Sequence, residues 1–218
     1  MQHRVLLVLV GLGLVLAGCG SSAKTADTGA APSTAADSTT TPPSSTPAGS
    51  GKPCPKPATA STTASIDTNL GCIVLALDTA KAPVAAGRFI SLAKSGFYNG
   101  LTFHRVVPDF VIQGGDPKGD GSGSSGKPPV AGEVPTDGYP IGSLAGAKTG
   151  SDPDGTFDCQ FFIISGEQGT QLPNQYARFG HVVSGMDVVQ AINALAPPSG
   201  DGPPTKTVTM RKVTISGA

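Results

Sequence analysis

This chain of 218 residues has no tryptophan, three histidines and four cysteines, and its 15 basic and 15 acidic side chains leave no formal net charge. Aromatic residues make up 5% of it. Without excess positive charge and with few rings to stack on, the composition implies neither a nucleic-acid interface nor a site for acidic substrates. His104 and His181 stand alone and the cysteines are scattered, so no tetrahedral zinc set forms from neighbouring ligands. Gly114-Gly115 is a loop element with no helix pattern behind it, which excludes the dinucleotide fingerprint. The apolar run Val5 to Leu16 falls short of the about 20 residues that cross a bilayer as a helix. A resident metal, a bound cofactor and a phosphate cradle are therefore not expected.

The N-terminus has a different composition from the rest. His3 and Arg4 precede the short apolar run, the pattern of a secretory signal over residues 1–18. Leu16-Ala17-Gly18-Cys19 resembles a bacterial lipobox, which implies cleavage before Cys19 and acylation of that cysteine, palmitate included. Several acyl chains, at about 0.8 kcal/mol per buried CH₂, anchor firmly where one does not. The expected location is extracytoplasmic, lipid-anchored to the bacterial cell membrane. Residues 19–63 are rich in Ser, Thr, Ala and Pro and lack large apolar side chains, so they have nothing with which to bury a core. As a flexible chain of roughly 40 residues this tether would span about 35 Å end to end.

Residues 64–218 suffice for one ordinary domain. Cys72 to Leu77 reads as an early core strand. Pro83 opens a helix that runs to about Lys94, stops at Gly96 and buries Val84, Phe89, Ile90 and Leu92. A second helix pattern covers Met186 to Leu195, and Lys206 to Ile215 alternates as a closing strand. Many short strands and two helices indicate a mainly β domain. In an oxidising compartment, disulfides can form. A bond between Cys54 and Cys72 is one open pairing; it would staple the end of the tether to the first strand and leave Cys159 free.

The densest pattern is Phe103-His104-Arg105-Val106-Val107-Pro108-Asp109-Phe110-Val111-Ile112-Gln113-Gly114-Gly115-Asp116, with Gln160-Phe161-Phe162-Ile163 further on. Residues 101–107 and 110–114 read as two strands joined at Pro108-Asp109, where Pro has the φ of the second turn position and Asp tolerates the third. Strict alternation puts Phe103, Arg105 and Val107 on one face and His104 and Val106 on the other. In the later block, Gln160 and Phe162 point one way and Phe161 and Ile163 the other. One guanidinium, two amides and several apolar side chains thus converge on a groove. By itself a strand arginine is usually solvated and a phenylalanine usually core; the joint order of the two blocks outweighs those readings.

Together the two blocks resemble the cyclophilins, the cyclosporin-binding class of peptidyl-prolyl cis-trans isomerases. The resemblance implies an eight-stranded antiparallel barrel capped by two α-helices, with its site on the outer wall, working as a monomer without cofactor or metal on Pro-containing peptides or unfolded exported proteins. It implies that Arg105 is the catalytic donor. Phe110, Val111 (where methionine is usual), Phe162 and Leu172 would line the proline pocket, with Tyr176 where many members have histidine. Gln113 and Gln160, with Ala145, would hold the substrate backbone. Gly146 stands where the family usually has asparagine, and it is expected to loosen that position. Ala147–Asp158 is longer than the family's usual link. Gln171 lies where a tryptophan often supports cyclosporin. The alternative is a cyclophilin fold that holds Pro-containing peptides without turnover, as a chaperone or envelope scaffold.

Overall fold

Strands β1 (Thr63–Thr68) and β2 (Gly71–Leu77) pair as an antiparallel hairpin. Its turn is held by Thr68, whose hydroxyl accepts from the backbone N–H of Leu70 at 3.0 Å and Gly71 at 3.1 Å. This computed structural model describes residues 54–55 and 61–217. The proposed signal, Cys19 and most of the tether lie outside the described residues. β1 opens at Thr63, a buried residue paired with Ser216 and Ala76, so the sheet starts inside the segment assigned by composition to the tether.

After β2 come helix α1 (Pro83–Lys94), β3 (Phe103–Val107) and β4 (Val111–Gly114). Then follow β5 (Val130–Ala131), β6 (Ser143–Gly146), β7 (Thr156–Phe157) and β8 (Phe161–Ile164), a 3-10 turn at Glu167–Gln171, β9 (Arg178–Ser184), α2 (Met186–Asn193) and β10 (Met210–Ser216). β5 and β7 form a small separate ribbon. The other eight strands make one antiparallel sheet in the order β10-β1-β2-β9-β6-β8-β4-β3. The sheet curls until its ends approach: Phe103 N–H donates to Val208 O at 3.0 Å and Met210 N–H to Leu101 O at 2.8 Å. Curling gives the edge strands partners, which removes the liability of open edges. The domain is mainly β, a curled eight-stranded antiparallel sheet with two helices.

α1 begins at Pro83, whose missing N–H costs nothing in the first turn. No neighbouring side chain caps it. The Glu133 carboxylate does so from a distant loop, accepting from Val84 N–H at 2.9 Å and Ala85 N–H at 3.2 Å, where a negative charge also suits the helix dipole. Its buried residues are Ala85, Ala86, Phe89, Leu92 and Ala93. Val84, expected inside, is 44% exposed, because the alanines rather than Val84 share the helical face of Phe89. Phe89 stacks on Tyr98 at 4.9 Å and meets Phe161 edge-on at 5.5 Å, so the helix seals the interior of the sheet with aromatic contacts. The closing strand starts later than the alternation of residues 206–215 suggests, at Met210.

Cys54 and Cys72 are joined by a disulfide, with Cα atoms 5.1 Å apart, tying residue 54 to the start of β2. Cys159 is free and buried in the main core. Burial, with Asp158 beside it, pushes its thiol up to about 12, so it stays protonated and unreactive.

Candidate active site

The β3–β4 hairpin sets the geometry. Phe110 N–H closes its turn on Val107 O at 3.2 Å, and Asp109 has φ 54°, a left-handed conformation costly for a residue with a side chain. Contacts from elsewhere hold it there. The Asp109 carboxylate accepts from Glu167 N–H at 2.9 Å, and its carbonyl accepts from Gln168 N–H at 3.0 Å. The 3-10 turn is thereby fastened to the hairpin, which brings Leu172 beside Phe110.

Strict alternation along β3 does not survive. Phe103 pairs with Gly114 and Arg105 with Gln113, so His104 is an extra residue opposite one step of β4. This bulge turns Phe103 into the main core together with Val106, while Arg105 and Val107 face outward. Sequence periodicity could not show it, since a bulge flips every side chain beyond it. His104 itself is buried, and neither ring nitrogen has a protein hydrogen-bond partner. Burial lowers its pKa, and the nearby Arg105 charge acts in the same direction against the raising effect of Asp116.

Arg105, Phe110, Val111, Gln113, Phe162, Leu172 and Tyr176 line one cavity of about 90 Å³, together with Ala147 and Lys148. Its floor is a small apolar cluster of Val111, Phe162, Ile164, Ala145 and Tyr139. Tyr176 meets Phe162 edge-on at 5.3 Å. The Tyr139 hydroxyl fixes Tyr176 by donating to its carbonyl at 2.9 Å and accepting from its N–H at 2.9 Å. Phe161 and Ile163 point into the main core, so β8 separates core from groove as alternation requires.

A chain of hydrogen bonds runs along the polar edge. Arg105 Nη1 donates to Gln113 Oε1 at 3.1 Å, and Gln113 Nε2 donates to Gln160 Oε1 at 3.1 Å. Gln160 Nε2 then donates to Gly121 O at 2.9 Å and Gly123 O at 3.0 Å. Both ends force the direction: a guanidinium can only donate and a carbonyl can only accept, so a flip would break two bonds at Gln113 and three at Gln160. Bonds aligned head to tail polarise one another. The two N–H groups of Gln160 are consumed, which leaves it an accepting lone pair for any ligand. Gln113 keeps one N–H. Beyond the two glutamines lies a larger cavity of about 470 Å³, walled by Gly121–Ser124 and by Ala147, Lys148 and Asp152.

Neither Ala145 nor Gly146 lines the cavity wall: Ala145 lies beneath it in the floor cluster, and Gly146 follows it along the strand. Both belong to β6, a strand paired on both sides, and Gly146 N–H is taken by Ala177 O at 2.9 Å. Gly146 is also not loose: a Cβ there would stand 2.6 Å from the Phe157 ring, so the close packing of that ring requires glycine. Lys148 was not foreseen as a site residue. Its side chain is 3% exposed, Nζ donates to Asp152 O at 3.0 Å, and it lies 5.6 Å from the centroid of Tyr176, within cation–π range. The one sign of it in the sequence is the unusual length of the Ala147–Asp158 segment. Asp201 was not foreseen either: it accepts from Arg105 Nε and Nη2, each at 2.7 Å. It sits in a Pro/Gly-rich loop far along the chain, and nothing in the local sequence marks it. Among the described residues, no group of three histidine, cysteine or acidic side chains could hold a metal.

The arrangement therefore offers a shallow apolar cup with an oriented cation on its rim. Residues 63–215 match the family model described as cyclophilin type peptidyl-prolyl cis-trans isomerase/CLD. A Schizosaccharomyces pombe protein named peptidyl-prolyl cis-trans isomerase ppi1 is 37% identical over 63% of this chain and 89% of its own length. Peptidyl-prolyl cis-trans isomerase A of Dickeya dadantii is 39% identical over 62% of this chain and 73% of its own. Among solved structures, a Cryptosporidium parvum cyclophilin type isomerase, crystallised in the presence of the dipeptide Ala-Pro, superposes with a TM-score of 0.65 at 26% identity, covering 72% of this chain and 99% of that one.

Proposed function

The chain belongs to the cyclophilin-type peptidyl-prolyl cis-trans isomerase family, and on that premise we propose that Arg105 stabilises the twisted Xaa-Pro amide of exported proteins while the neighbouring cup holds the proline ring. The rotation faces a barrier of about 18–20 kcal/mol because the C–N bond has partial double-bond character. No covalent bond breaks, so no nucleophile or general base is needed. In the twisted state, resonance is lost and the lone pair settles on nitrogen. A donor aimed at that nitrogen binds the twisted amide more strongly than the planar one, which is the condition for catalysis.

The observation that carries this reading is the Arg105 guanidinium on the rim of the cavity that Phe110, Val111, Phe162, Leu172 and Tyr176 line. Arginine stays charged at every relevant pH and presents its N–H bonds in a rigid plane. The apolar cup holds the ring still while the preceding carbonyl swings. The deciding experiment is isomerase turnover of Arg105→Ala with peptide binding measured alongside: turnover falls and binding persists if the reading is right, and parental turnover removes Arg105 from the mechanism.

The clientele and the location form a second layer of the proposal. The lipobox-like Leu16-Ala17-Gly18-Cys19 supports lipid anchoring outside the cell membrane, and the Cys54–Cys72 disulfide suits an oxidising compartment. Palmitate labelling of the parent but not of Cys19→Ala, with the variant released to the soluble fraction, is the expected result. A parent that takes up no label would remove the anchor.

A further inference from the structure

Asp201 is the one acidic side chain bonded to Arg105 among the described residues, and it does so through both carboxylate oxygens. A guanidinium has five N–H bonds. Two go to Asp201 and one to Gln113. Two remain, one on Nη1 and one on Nη2, for a ligand in the cup.

Arg105 and Asp201 are 36% and 54% exposed, a setting in which an ion pair adds little to stability. Orientation is another matter. An arginine side chain free to rotate carries considerable rotamer entropy, and side-on pairing with a carboxylate fixes the plane of its fork. Asp201 is short, and its backbone is tied to the strand that bears Arg105. Val106 N–H donates to Gly202 O at 2.8 Å, so the residues flanking the ion pair are bonded to each other. Within the loop, Ser199 Oγ donates to Asp201 O at 3.2 Å. The carboxylate is thus delivered from a backbone already docked on β3, and only one side chain remains to be ordered.

We propose that Asp201 is a positioning residue for the isomerisation: it holds the plane of the Arg105 guanidinium over the proline cup and leaves two of its N–H bonds free for the twisted amide. The inference rests on the reading of Arg105 given above. Pairing also holds the Asp201 carboxyl below the usual carboxylate range, so the partner remains charged at neutral pH. Gln113 fixes the fork from the opposite side, and the two contacts together leave it no free rotation.

The test is a cycle of Asp201 and Arg105 variants in the full-length chain, with kcat and KM for an Xaa-Pro peptide measured separately. Asp201→Ala should lower kcat by about ten- to a hundredfold, because a misplacement of about 1 Å can cost about 10²-fold. KM should stay within about twofold, since the lost interaction is made in the transition state. The unfolding midpoint should barely move. Asp201→Glu, which keeps a carboxylate on the docked loop, should retain most of the activity, with Asp201→Asn between the two. In the Arg105→Ala background, Asp201→Ala should cause no further loss. Parental kcat in Asp201→Ala with an impaired Arg105→Ala would overturn this inference alone. An equal loss from Asp201→Ala in both backgrounds would also overturn it, since Asp201 would then act by another route. Parental kcat in Arg105→Ala would bring down the reading of Arg105, and this one with it.

Discussion

Along one edge of the groove, Arg105, Gln113 and Gln160 form a hydrogen-bond chain whose direction is fixed at both ends. Across it, Phe110, Val111, Phe162, Leu172 and Tyr176 form a cup held together by packing. The polar edge depends on which atoms donate and which accept, so one altered group leaves its neighbours unpaired. The cup depends on volume and shape, and apolar sites tolerate exchanges of similar size. Val111 in place of the family's usual methionine is a change of the second kind. Specific chemistry should therefore be fragile on one side and adaptable on the other.

The largest effect should come from the end of the chain. Removing one preorganised donor typically costs about 10²–10³ in rate, and Arg105→Ala should fall in that range for turnover. Arg105→Lys should recover little, because an ammonium is a point charge and cannot satisfy Asp201 side-on and Gln113 together. A lysine variant with parental turnover would mean that charge alone suffices, and the contrast between edge and cup would weaken.

Breaking the middle of the chain should cost less. Gln113→Leu keeps the size of the side chain but strands an N–H of Arg105 and the Oε1 of Gln160. The expected loss is about 1–2 kcal/mol of transition-state stabilisation, or about tenfold in turnover. The comparison predicts that Leu172→Met, an exchange of similar volume in the cup, changes turnover far less. Equal losses in the two variants would show that both sides obey the same rule.

How much of this could be read before the fold was known differs between the same two sides. The cup was legible because Phe161 and Ile163 alternate with Phe162, and apolar alternation marks which face is core. Arg105 and Gln113 were legible because they lie close together on one hairpin. The bulge at His104 was not, since it depends on the pairing with β4 and leaves no mark in β3 itself. Asp201 was hidden for a related reason: its contact spans 96 residues, and no local pattern encodes a loop that folds back onto a strand. Gly146 misled because its environment is set by Phe157, on a strand outside the eight-stranded sheet. β1 was missed because Ser and Thr at its positions resemble the preceding tether.

A smaller effect separates stability from chemistry. His104 is buried and its pKa is lowered, chiefly by burial. With the folded value below the ordinary value of about 6.5, the unfolded chain takes up the proton first as pH falls. Its contribution to stability is then fully present above about pH 6.5 and is lost as pH falls from there through the depressed folded value. The carboxyls of Asp137 and Asp201 are held below their usual range by their arginines and titrate at lower pH, outside this window. Denaturant midpoints should therefore decline below about pH 6.5 in the parent, and less steeply in His104→Gln. Turnover per folded molecule should stay flat from about pH 6 to 8, because nothing on the polar edge titrates there. A bell-shaped turnover profile over that range would introduce a general acid–base pair that the groove does not contain.

The smallest expected effect on turnover lies at the outer rim of the cup. Gln171 ends the 3-10 turn that delivers Leu172, is exposed, and its side-chain amide donates to Thr170 Oγ1 at 2.9 Å. In the family that this chain resembled from its sequence, a tryptophan often stands here and supports cyclosporin. Glutamine can still donate a hydrogen bond but offers no broad apolar face to a large ligand. The apolar cup is closed by Phe162, Tyr176 and Leu172 without it. Gln171→Trp should therefore tighten cyclosporin binding by about tenfold, the scale of one good aromatic contact, while peptide turnover remains parental. Calorimetric titration of both proteins with the drug checks this. Tight binding by the parent would mean that another surface, such as the Lys148 wall, already supplies the missing face, and the rim would then belong to the adaptable side of the groove.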